Sequence, residues 1–149
     1  MILSRRTALL GLAASILPLP VWATPEEVAA KIVELFGDSP LENGPITIDL
    51  PALAETGNSV RMTVSVESPM TAEDRITRLA VFAEQNPRPL TFEVRFGPKA
   101  AEAQLEATIR LAATQTVVCV AEHADGRLMA ARADVRVVVG ACTALPGRY

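Results

Sequence analysis

The chain has 149 residues, half of them apolar and 21% charged, with two cysteines and one histidine. That length supplies one domain with a sizeable core, and the balance excludes a disordered or collagenous chain. Two cysteines cannot staple so long a chain, one histidine does not complete a zinc site, and a net charge of −3 with few aromatic residues argues against nucleic acid as a partner.

The first residues, Met1-Ile2-Leu3-Ser4-Arg5-Arg6, form a basic start that runs into the apolar stretch Ala8 to Leu17. Pro18 and Pro20 break that stretch, and Val21-Trp22-Ala23 places aliphatic and small residues before an expected cut. Residues 1–23 therefore read as a secretory signal peptide, and the paired arginines suggest the bacterial twin-arginine route. The apolar run falls short of the ~20 residues a membrane span needs. The expected mature protein is exported and soluble, and makes no use of a membrane. Loss of Arg5 and Arg6 leaves 12 basic against 17 acidic residues, a charge of −5.

The mature start predicts a helix over residues 25–36. Thr24 can cap it, Pro25 suits the first helical position, and Glu27 completes a T-x-x-E capping box. Val28, Ile32, Leu35 and Phe36 fall on one stripe, and Gly37 sits where a left-handed cap is expected.

From Ile46 the apolar period changes to two. Seven strands are predicted: 46–50, 60–67, 76–84, 90–96, 103–111, 116–122 and 128–139. Turn-rich segments such as Leu41–Pro45, Gln85–Pro89 and Gly97-Pro98 separate them. The alanine-rich stretch 99–113 has helix-forming residues, but Thr108-Ile109-Arg110-Leu111 favours a strand. The spacing points to an all-β, immunoglobulin-like antiparallel sandwich, the domain running over residues 24–141 with the short N-terminal helix included. Asp125-Gly126 suits a tight two-residue turn joining the last two strands. That register places Cys119 opposite Arg132 and leaves Cys142 about 30 Å further along an extended chain, too far for an internal disulfide.

Cys119 lies in Thr116-Val117-Val118-Cys119-Val120-Ala121, a continuous apolar strand, and reads as a small buried hydrophobe. Cys142 follows the last strand in Gly140-Ala141-Cys142-Thr143, within a terminal arm of residues 140–149. Gly140 releases the backbone there, with the small Ala141 and Thr143 beside the sulfur. A thiol so placed could enter another protein's active site. It could equally be an unused terminal thiol, or one that forms an intermolecular disulfide. His123, beside the Asp125-Gly126 turn, is expected to face solvent. No Ser-His-Asp set, P-loop, Rossmann fingerprint or metal-ligand spacing is present in the sequence, so no cofactor is expected and the chain does not read as an enzyme.

The ordered series of segments resembles the SoxY family, the sulfur-carrying subunits of bacterial thiosulfate oxidation. The resemblance rests on Phe36-Gly37, Asn58-Ser59-Val60, Val66-Glu67-Ser68-Pro69-Met70, Val81 to Pro87, Phe96-Gly97-Pro98, Ile109 to Ala112, Glu122 to Gly126 and the cysteine near the end. It implies a periplasmic sandwich paired with a SoxZ-like subunit. It also implies a cysteine, here Cys142, that holds sulfur intermediates covalently on a flexible arm. A haem enzyme would load that thiol with thiosulfate, a metallohydrolase would release sulfate, and the carrier would be a bound substrate rather than a catalyst. The family's arm is usually Gly-Gly-Cys-Gly-Gly. This chain keeps Gly140 but has Ala141, Thr143 and Ala144 at the other glycine positions, which stiffens the backbone. A binding subunit of the same heterodimer that has lost or repurposed carrier chemistry is the alternative.

Overall fold

Alternating apolar residues build two sheets that bury their facing sides against each other. The computed structural model describes residues 22–141. Helix α1 spans Pro25–Phe36, and nine strands follow: β1 (Leu41–Asn43), β2 (Ile46–Asp49), β3 (Leu53–Thr56), β4 (Val60–Val66), β5 (Ile76–Ala83), β6 (Leu90–Arg95), β7 (Ala103–Ile109), β8 (Gln115–His123) and β9 (Leu128–Val139). The larger sheet runs β1-β9-β8-β5-β6, with β3 also paired to β9, and the smaller runs β2-β4-β7. All seven expected strands are present, including β7 in the alanine-rich stretch, and the immunoglobulin-like sandwich class holds. Two further strands, β1 and β3, pair in parallel with the first and last residues of β9.

Met62, Val64, Leu79, Val81, Val117, Cys119 and Val135 meet between the sheets as the main core. The outer face of the larger sheet is apolar as well, because α1 covers it. Val28 and Ile32 of the helix pack on Ala80, Phe82, Val118 and Val120, with Leu35 and Phe36 at the margin. Burial on both faces explains why β5 and β8 read as continuous apolar runs rather than alternating ones.

The helix is held at both ends. The Thr24 side chain accepts the Glu27 N–H at 3.2 Å while the Glu27 carboxylate accepts the Thr24 N–H at 3.1 Å, forming the expected box. Gly37 takes a φ of +83° at the other end, and its N–H bonds the Val33 carbonyl. The last turn has no cation of its own. Arg78 of β5 supplies one, donating to the Leu35 carbonyl at 2.7 Å with its guanidinium 4.1 Å from the Phe36 ring centre.

The β8–β9 hairpin differs from expectation by one residue. Gly126 has φ +88°, its N–H bonds the His123 carbonyl, and the His123 N–H bonds Arg127, enclosing a three-residue loop. Cys119 therefore faces Ala131, and Arg132 faces Val118. The second correction concerns His123, which is buried rather than solvent-facing. Its Nε2 lies 2.8 Å from Asp74 in the loop before β5, and its Nδ1 lies 2.8 Å from Asp125. The Asp74 contact is the main reason that its pKa is raised above the usual histidine value, with partial burial opposing.

Candidate functional site

The first two of the sequence-predicted site residues follow β9 at one end of the sandwich. Cys142 and Thr143 lie outside the described residues; Gly140 and Ala141 are within them. Three backbone segments meet there. The Gly57 N–H donates to the Val139 carbonyl at 2.7 Å, the Leu111 N–H to the Gly57 carbonyl at 2.8 Å, and the Ala141 N–H to the Leu111 carbonyl at 2.9 Å. Ala141 is buried. A β-carbon at Gly140 would collide with the Ala112 carbonyl oxygen, and one at Gly57 with the Leu111 carbonyl oxygen. Expected to release the chain, Gly140 instead lies against a neighbouring backbone.

Asn86 organises the segment opposite. Its Oδ1 accepts the Ala112 N–H at 2.9 Å and its Nδ2 donates to the Arg110 carbonyl at 2.9 Å. Gln115 supports it, donating to the same Oδ1 at 3.1 Å while its own Oε1 accepts the Gln85 N–H. Both side chains are buried, and such groups are stable only when their hydrogen bonds are made. Sequence reasoning gave Gly57, Asn86 and Gln115 no role. Asn86-Pro87 stands out as a turn signal, but nothing local announces that it reaches residues 110–112.

Beside this end lies an open groove of about 530 Å³ lined by Glu84, Gln85, Thr114, Gln115, Asp134 and Arg136, among others. Two of its carboxylates are engaged: Asp134 accepts from Thr116, also in the groove, at 2.7 Å, and Glu84 accepts from Arg132, which does not line it, at 3.0 Å. Among the described residues no cluster of histidine, cysteine, aspartate and glutamate could hold a metal ion. No described helix is long and apolar enough to cross a membrane.

The other thiol is chemically closed. Cys119 has no accessible surface, sits in the core between the sheets, and carries a free sulfhydryl. Burial pushes its pKa up to about 12, because a thiolate there would lose its hydration without a compensating partner. From Ala131, which it faces, β9 runs on to Val139, so the strand carries the chain roughly 25 Å away at ~3.3 Å per residue.

A model of the family described as sulfur oxidation protein SoxY matches residues 32–142. The chain belongs to the SoxY family. The match takes in α1 from Ile32, every strand and the cysteine after Ala141. Among solved structures, the sulfur carrier protein SoxY from Chlorobium limicola is similar at 25% identity and a TM-score of 0.66, over 76% of this chain and 98% of that one. The superoxide reductase (neelaredoxin) of Ignicoccus hospitalis shares the fold at 20% identity and a TM-score of 0.57, over 78% and 94%. The superoxide reductase of Nanoarchaeum equitans does so at 13% and 0.53, over 65% and 99%. At those identities the likeness to the reductases is one of fold alone. No curated protein matches the chain.

Proposed function

We propose that the chain is a periplasmic sulfur carrier that holds thiosulfate-derived or related sulfur intermediates on Cys142 and presents them to partner enzymes. The observation that carries this reading is an elimination within a SoxY-family chain. Of its two cysteines, Cys119 is sealed in the core with a strongly raised pKa, and Cys142 directly follows Ala141, whose N–H bonds the Leu111 carbonyl. In this reading a thiol and thiosulfate join through a new sulfur–sulfur bond, releasing one proton and two electrons to the haem of a loading enzyme. Hydrolysis of the terminal sulfonate then yields sulfate and leaves a persulfide on the carrier.

Export as a precursor cut after Ala23 belongs to the same reading. Thr24 N lies 3.1 Å from the Glu27 carboxylate, so an amino terminus created there would keep an ionic partner at the helix start. A SoxZ-like subunit completes the heterodimer. The test is intact mass spectrometry of the mature heterodimer incubated with thiosulfate and the haem enzyme. A sulfur adduct lost in Cys142→Ser supports the carrier. Heterodimer formation without an adduct supports a subunit that has lost carrier chemistry.

A further inference from the structure

Glycine serves two different ends in a chain. It permits backbone conformations closed to other residues, or it lets two backbones approach with no β-carbon between them. Gly126 is of the first kind: φ is +88° and a β-carbon there would meet nothing within 4 Å. Gly140 is of the second kind, with no positive φ and no room beside the Ala112 carbonyl. Gly57 faces the Leu111 carbonyl in the same way.

We propose that Gly57, Gly140 and Asn86 form a clasp that fixes the root of the C-terminal segment, so that chain freedom begins no earlier than Cys142. The three hydrogen bonds Gly57–Val139, Leu111–Gly57 and Ala141–Leu111 stitch the ends of β3, β7 and β9 into one unit. Asn86 holds the middle of that unit, gripping Arg110 and Ala112 on either side of Leu111. The buried Ala141 is the last of the described residues that it anchors. With Ala141 fixed, covalent geometry keeps the Cys142 sulfur within about 7 Å of the Ala141 α-carbon. A glycine hinge would let the thiol travel to a distant active site. The clasp instead requires a partner enzyme to dock on the end of the sandwich formed by Gly57 and Leu111-Ala112. Only this consequence rests on the carrier reading; the clasp itself rests on backbone geometry.

Amide hydrogen exchange on the full mature protein, resolved to single residues, is the first test. The Ala141 amide is expected to be protected at least 100-fold over its intrinsic rate. Gly140→Ala and Asn86→Ala should each cut that protection tenfold or more while the Val118 and Val120 amides in the larger sheet keep theirs. Exchange of wild-type Ala141 within threefold of its intrinsic rate overturns the clasp, whether or not the variants fold.

Inserting two glycines between Ala141 and Cys142 tests reach while leaving the clasp intact. A maleimide on a long polyethylene glycol should modify wild-type Cys142 several-fold more slowly than N-ethylmaleimide, and the insertion should narrow that ratio at least threefold. An unchanged ratio contradicts the confined reach. None of these readouts involves a sulfur adduct. An unmodified Cys142 with a protected Ala141 removes the carrier reading alone, and a loaded Cys142 with an unprotected Ala141 removes the clasp alone.

Discussion

Treating the folded protein with an aromatic disulfide reagent at pH 8 should titrate one thiol quickly and leave the other untouched. At that pH a Cys119 pKa of about 12 gives a thiolate fraction of about 10⁻⁴, against roughly a quarter for a thiol near the ordinary 8.5. Higher intrinsic nucleophilicity of the more basic thiolate recovers about 25- to 55-fold of that gap, leaving a factor of roughly 50 to 100. The direct route is closed in any case, since the Cys119 sulfur has no accessible surface. The remaining route is opening of the core. At a domain stability of about 5 kcal/mol the open form is populated to about 2 × 10⁻⁴, so Cys119 should react at least about 10³-fold more slowly than Cys142. The fast count should be one in wild type and zero in Cys142→Ser, rising to two and one in denaturant. Reaction of Cys119 within tenfold of Cys142 in the folded protein would refute the elimination on which the carrier reading rests.

Phe82, fully buried between the larger sheet and α1, should cost about 3–5 kcal/mol when changed to alanine, read as a lower urea midpoint. A loss below about 1 kcal/mol would mean that the helix does not pack there. His123 gains protonated stability from Asp74 and Asp125. With its folded pKa raised, that contribution is complete below the unfolded value of about 6.5 and is lost as pH rises through the folded value. The melting temperature should therefore fall between pH 6 and pH 8.5, and His123→Gln should flatten that decline; an equal decline in both proteins contradicts the assignment. Gly126→Ala places a β-carbon at φ +88° and should cost about 1–2 kcal/mol, with Gly126→Asn costing less by the same denaturation assay.

The sequence made the helix and seven of the nine described strands legible because each carries its own signal: a capping box, a 3.6-residue stripe, or alternation over several residues. Strands β1 and β3 carry none. Leu41–Asn43 is exposed throughout, Leu53–Thr56 buries only Ala54, and both exist by pairing with β9 many residues away. The hairpin slipped by one because Asp125-Gly126 fits both a two-residue turn and the end of a three-residue loop; Gly126 has a positive φ in either, and only Asp125, whose φ is not positive, separates them. His123 looked solvent-bound because its partner Asp74 is 49 residues distant. The candidate site divides the same way. A cysteine just past the final strand can be read directly, whereas the role of Gly140 depends on the carbonyl of Ala112, which only the fold brings alongside.

The most direct measurement is the intact mass of the mature heterodimer after incubation with thiosulfate and the haem loading enzyme. The carrier account predicts a sulfur adduct on wild type, its removal by a thiol reductant, and its absence from Cys142→Ser. An unmodified wild-type mass under conditions that load a known carrier, or an adduct that survives Cys142→Ser, would contradict it.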